Sequence, residues 1–181
     1  MMKRILWSAL IAGLLLCNAA WAQSVGTNTV CTNPTVTTGN GYGTNFVVGG
    51  LLSFPGLFGP RNTGLLQNVT VQIKDLETSG FTLFTFDGKP SNTTWTDAAV
   101  AAIAAADKFS VRIPVALAAS NALASTLQTA LYASGLAIGA SAVNGGGTYY
   151  AVLLTNATLT NNFAGASDVQ VCLTALQDRN N

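Results

Sequence analysis

The sequence predicts a mainly β protein: a single antiparallel β-sandwich, jelly-roll-like, with one short helix. Three observations carry that prediction. Val69, Val71 and Ile73 alternate with Thr70, Gln72 and Lys74, the period-2 pattern of a strand with one buried and one wet face. Residues 81–86, FTLFTF, are apolar on both faces, as in a strand covered from both sides. Near the C-terminal end Val169, Val171 and Leu173 again share one face, so strand patterning recurs along the chain.

The chain opens with Lys3 and Arg4, an apolar run from Ile5 to Leu16, and then Ala20-Trp21-Ala22. Residues 1–22 therefore have the layout of a secretory signal peptide cleaved before Gln23, and the apolar run is too short to serve as a stable membrane anchor. Leu16 is not the small residue that a lipidation signal places before its cysteine, which argues against Cys17 as a lipidated first residue. Residues 23–50 are rich in Thr, Asn and Gly and read as an extended N-terminal arm, with short strands at 29–31 and 45–48. The sandwich domain spans 51–178. Its first stretch, 51–62, holds Pro55 and Pro60 among glycines and reads as an ordered loop. Strands at 68–74 and 81–86 follow, with a turn at Thr78-Ser79-Gly80 between them. Thr96 as N-cap, Asp97 in the first turn and an Ala-rich body predict the helix over 96–108. Residues 109–117 alternate through Val111, Ile113, Val115 and Leu117, and Pro114 among the outward positions marks a sheet edge or a bulge. Residues 122–133 suit a helix or a strand equally. Strands at 135–143, 149–155 and 168–176, with a turn at 144–147, complete the set.

Only 8% of residues are charged, where roughly a quarter is usual. Removing Lys3 and Arg4 from the eight basic residues leaves six against seven acids. There is thus no basic face for nucleic acid or anionic lipid, and so little self-repulsion that copies can pack densely together. Cys17 falls in the signal segment. Cys31 and Cys172 stand near the two ends of the mature chain, and an even pair in an oxidising compartment favours a disulfide. The expected location is secreted, either periplasmic or at the cell surface and beyond.

Reactive constellations are scarce. The chain contains no histidine, which removes Ser-His and Cys-His catalysis and the commonest zinc ligand. The residues three before Lys74, Lys89 and Lys108 are Val71, Phe86 and Ala105, so no Ser-x-x-Lys nucleophile exists. Asp75, Glu77 and Asp87 end strands without the arrangement of a paired-carboxylate hydrolase. Asp87, Asp97 and Asp107 offer hard oxygen ligands without any Ca²⁺-loop spacing. The expectation is a non-enzyme with no cofactor and no metal site. Trp95, Tyr42 and Tyr149 are the aromatics that a secreted carbohydrate- or protein-binding module would present.

Further motifs run through Phe86-Asp87, Pro90, the Thr-rich turn 93–96, Asp97-Ala98-Ala99 and Asp107, and later through Tyr149-Tyr150-Ala151-Val152-Leu153 and Ser167-Asp168. With the Gly64-Leu65-Leu66-Gln67 lead-in, they make residues 46–178 resemble virion structural proteins of tailed bacteriophages and prophages, of a decoration-like kind. The resemblance implies a β-sandwich for particle assembly or surface decoration, without enzymatic activity. The signal segment and the cysteine pair are additions to that pattern and imply an exported form. The implied partners are copies of the chain itself or a surface or particle. A secreted binding module and a fimbrial-type subunit are the alternatives, although the C-terminal Leu176-Gln177-Asp178-Arg179-Asn180-Asn181 lacks the near-terminal aromatic of fimbrial subunits.

Overall fold

The computed structural model describes residues 25–39, 41–74, 80–115, 129–159 and 162–178. The predicted signal segment, Asp75, Glu77 and the turn residues Thr78 and Ser79 lie outside the described residues. The strands are β1 (Val25–Thr32), β2 (Val47–Pro55), β3 (Thr63–Ile73), β4 (Phe81–Phe86), β5 (Val111–Val115), β6 (Thr129–Ser141), β7 (Thr148–Thr155) and β8 (Val169–Asp178). Sheet 1 has the order β1-β8-β3-β6 and sheet 2 the order β2-β7-β4-β5. All neighbours are antiparallel.

The chain pairs as a ribbon doubled on itself, β1 with β8, β2 with β7, β3 with β6 and β4 with β5. The ribbon then wraps so that β3 meets β8 and β4 meets β7. This is the jelly-roll form of the sandwich. It follows from where apolar side chains fall. Val69, Val71 and Ile73 of β3 and Val169, Val171 and Leu173 of β8 point inward and meet Phe81, Leu83, Ile113, Ala151 and Leu153 of sheet 2 in the main core. The opposite face of sheet 2 is also apolar. Phe86, Val152, Leu154 and Val47 form a second cluster there, roofed by Trp95 and Ala101 from the 87–110 connection. Strands β4 and β7 are therefore covered on both sides, which is why neither alternates in sequence.

This double cover separates two strands that are neighbours in sequence. Residues 68–74 and 81–86 lie in different sheets. The outward row Asn68, Thr70 and Gln72 suits solvent, whereas Phe84 and Phe86 require a roof, so β4 sits under the 87–110 connection and not beside β3.

The predicted helix at 96–108 is absent; the segment is an irregular connection. Val47 exchanges backbone bonds with it (Ala98 N–H to Val47 O, 3.0 Å; Val47 N–H to Ala99 O, 2.9 Å), and Ala101 N–H reaches Asn45 O at 3.0 Å. Ala98 takes a left-handed φ of 55°, which an α-helix cannot contain. Residues 51–62 are not a loop throughout, since 51–55 belong to β2. Gly49 and Gly50, at φ 74° and 76°, make a bulge between Val48 and Leu51. A side chain at Gly49 would place its Cβ 2.0 Å from Pro34 Cβ, so only glycine fits. The segment expected as an arm is likewise built in. β1 pairs along its whole length with β8, and Val36 and Tyr42 lie in the core. The composition of 23–50 is polar because its strand is an edge and its loop faces water, not because it is detached.

Candidate functional site

The predicted disulfide is present: Cys31 and Cys172 face each other across β1 and β8 and are bonded, 141 residues apart in sequence. It lies on the outward face of sheet 1, since the alternate residues Val171 and Leu173 point into the core. Such a bond belongs to oxidising, non-cytoplasmic compartments. No helix among the described residues is long and apolar enough to cross a membrane.

The three candidate binding aromatics are not gathered into a site. Tyr42 is 0% exposed, stacked edge-on against Phe163 at 5.0 Å. Tyr149 is also 0% exposed, edge-on against Phe58 at 5.1 Å. Its hydroxyl is buried without a hydrogen bond of normal geometry, and burial raises its pKa, partly offset by the nearby Thr85 and Ser110 hydroxyls. Both rings fill the sandwich core. Neither can present a face to a ligand. Trp95 is half-buried against Phe86 at 5.6 Å, with its indole Nε1 buried and unpartnered. It covers the outer cluster of sheet 2.

The acids, by contrast, do organise structure, though Asp97 does so by holding distant loops and not by starting the expected helix. Asp97 is a clamp between three segments. Its Oδ2 accepts from Thr37 N–H and from Tyr42 Oη, both at 2.6 Å, and its Oδ1 accepts from Gly49 N–H at 2.5 Å. Burial first, and then the Asp97 carboxylate, hold the Tyr42 pKa far above the ordinary phenol value. Asp107 is a second clamp: its carboxylate accepts from Ser91 N–H, Asn92 N–H and Asn92 Nδ2. Burial pushes its pKa up, but hydrogen bonds from Thr93, Asn92 and Ser91 outweigh this and bring it down to about 2. Asp168 accepts from Gly165 N–H and pairs with Lys74 Nζ at 3.4 Å. Asp97 and Asp107 thus point into separate clamps, and no group of three His, Cys, Asp or Glu among the described residues is placed to hold a metal.

Sheet 1 offers two surfaces built from several strands. A recess of about 310 Å³ at the end of sheet 1 is lined by Asn33, Gln72, Lys74, Ser167, Asp168 and Gln170. The outward face of sheet 1 carries uncharged rungs running across the strands. One is Thr29, Thr174, Asn68 and Ser134, in which the two threonine hydroxyls bond at 2.9 Å. Another joins Gln170 to Gln72. Neither surface was singled out in the sequence, because its members come from strands far apart in the chain. Compared with known protein families and with curated proteins, the chain matches none.

Proposed function

We propose that the protein is an exported, non-enzymatic structural element that assembles with copies of itself on a surface or particle, as its resemblance to phage virion structural proteins implies. The observation that carries this reading is the jelly roll whose first sheet turns outward a face of Thr, Asn, Gln and Ser rungs with few charges. Jelly rolls serve as viral capsid domains and as lectins, and a face with few charges offers little repulsion to a second copy. The described carboxylates Asp97 and Asp107 are committed to holding loops, which supports a structural role over a chemical one.

The test is the mass in solution of the protein recovered from the export compartment of its expression host, by light scattering with and without reductant, followed by negative-stain imaging. Discrete multimers or fibres are expected. A monomer at high concentration in both conditions overturns the proposal.

A binding module is the second reading, and the amide-lined recess favours it. Asn33, Gln72 and Gln170 are neutral donors and acceptors of the kind that read sugar hydroxyls. Gln72→Ala should then abolish retention on a glycan array without changing the fold, and unchanged retention would dismiss the recess.

A further inference from the structure

We infer that the Cys31–Cys172 bond is a redox switch on the recess at the end of sheet 1: closed, it shapes the recess for a neutral saccharide, and a dithiol that reduces it releases that ligand. The ligand class rests on the second reading above, and control by the cysteines goes beyond it.

The lining selects the ligand. Asn33, Gln72 and Gln170 each carry a carboxamide, a donor and an acceptor side by side, and a sugar ring offers hydroxyls that both donate and accept. Among the described residues neither the Gln72 amide nor the Ser167 hydroxyl has a hydrogen-bond partner, so both are left for a ligand. The charged members, Lys74 and Asp168, pair with each other at 3.4 Å, and Asp168 also accepts from Gly165 N–H. No net charge is left to select an anion or a cation. No aromatic ring lines the recess, which removes the stacking that a nucleobase or an aromatic ligand requires. At about 310 Å³ it stands at the small end of ligand sites, enough for a short stretch of saccharide.

The disulfide is part of the wall. Gln170 Nε2 donates to Asn33 Oδ1 at 3.0 Å, and Gln170 Oε1 lies 3.7 Å from Cys172 Sγ. A bonded sulfur has no hydrogen, so this is a packing contact. A free Cys172 thiol would bring a donor to the same oxygen and draw the Gln170 amide away from Asn33. Asn33 depends on the same bond from the other side. The β1–β8 rungs end at Thr32, and the next backbone bond is Val36 N–H to Ala166 O at 2.9 Å. Between them Asn33 is held by the Gln170 bond and by the cysteine bond two residues back.

The bond is also within reach of a thiol. Cys31 is exposed and Cys172 half-buried on the outward face of sheet 1. β1 is an edge, so no described strand lies beyond Cys31, whereas Thr70 of β3 stands beside Cys172. A thiolate of the dithiol attacks Cys31 Sγ, forms a mixed disulfide and expels Cys172 as thiolate. The second thiolate of the dithiol attacks its own sulfur in that mixed disulfide and expels Cys31. The dithiol leaves as its disulfide, and its two electrons and two protons end on the two cysteines.

The experiment passes the protein recovered from the export compartment over an array of neutral and uronic-acid oligosaccharides. It is run oxidised, in excess dithiothreitol, and again after the dithiothreitol is removed and the bond re-formed in air, with thiol titration and circular dichroism in each state. The oxidised protein should be retained on neutral oligosaccharides. Retention should fall about tenfold in dithiothreitol with the spectrum unchanged, as for a site whose competent form drops to about a tenth, and should return on reoxidation. Gln72→Ala should abolish retention in every state. Equal retention with both thiols free, or no free thiol in dithiothreitol, refutes the switch and leaves the recess reading standing. A fall in retention together with loss of the spectrum assigns the effect to unfolding and also overturns the switch. An oxidised protein that neutral oligosaccharides do not retain, or retention that Gln72→Ala keeps, overturns the recess and the switch together.

Discussion

Replacing Asp97 with alanine should be among the most damaging single changes outside the apolar core. The carboxylate holds Thr37 N–H, Tyr42 Oη and Gly49 N–H, partners 60, 55 and 48 residues away in sequence. Those three bonds fasten the 33–46 connection and the β2 bulge to the 87–110 connection. A hydrogen bond to a charged acceptor contributes about 1.5–3 kcal/mol, and a buried donor stripped of its acceptor costs about 1–3 kcal/mol. Asp97 itself is half-buried, so solvent screening lowers the upper bound, and Asp97→Ala should cost about 3–5 kcal/mol. Asp97→Asn should cost less, about 1.5–3 kcal/mol, because an amide oxygen can keep the Oδ2 partners while its NH₂ opposes Gly49 N–H. Urea unfolding followed by circular dichroism measures both, with the midpoint moving and the slope unchanged. A double cycle with Tyr42→Phe should give a coupling of about 0.5–3 kcal/mol. An Asp97→Ala protein within about 1 kcal/mol of the parent, with no coupling to Tyr42, would refute the clamp.

Three further outcomes are expected. Replacing Cys31 and Cys172 together with serine opens a 141-residue separation and should lower stability by about 5 kcal/mol in the chain-entropy model, read as a shift in denaturation midpoint; a shift below about 1 kcal/mol would show that β1 is held by pairing alone. Stability should respond to pH at both ends. Asp107 has a folded pKa of about 2 against an ordinary 3.8, so its contribution is complete above 3.8 and fades as pH falls towards 2. Tyr42 and Tyr149 are raised from 10.0, so theirs is complete below 10 and fades as pH rises beyond it. Melting curves should therefore drop in both windows, Asp107→Asn should flatten the acid one, and an unchanged acid limb in that variant would count against the second clamp. Trp95→Ala should unroof Phe86, Val152 and Leu154, cost about 1–3 kcal/mol and increase binding of an apolar dye, whereas an unchanged dye signal would mean that the cluster closes without it.

The parts of this fold that were legible in sequence are those where one face meets water. β3 and β8 alternate because their outward rows carry Asn, Thr and Gln, and Pro114 marked β5 as an edge or a bulge, of which it is the edge. Residues 81–86 showed their double cover through the lack of alternation. β2 was hidden because its bulge uses two glycines between Val48 and Leu51, which breaks the period of two just where it would have been read. The helix expected at 96–108 rested on local preferences that are sound in isolation. They lost to Asp97, whose oxygens take donors from Thr37, Tyr42 and Gly49 and leave none for a helix start. Nothing near Asp97 in sequence advertises those partners. The same distance problem hid the recess, since Asn33, Gln72 and Gln170 meet only after β1, β3 and β8 have paired. Burial of Tyr42 was equally unreadable, because its neighbours along the chain are glycines, a threonine and asparagines.

The disulfide also fixes how the molecule bears load. Val25 is opposite Asp178, and the rungs run from there to Cys31 opposite Cys172. A pull applied at Val25 and Asp178 would unzip this antiparallel pair one rung at a time and then reach a covalent stop at the seventh rung. Beyond that point the tension passes through sulfur, and the chain between the two cysteines carries none of it. β2 to β7 and the core they enclose sit outside the path of force. A unit built this way lengthens by only a few residues of slack when its two ends are pulled, and the rest of both sheets keeps its shape.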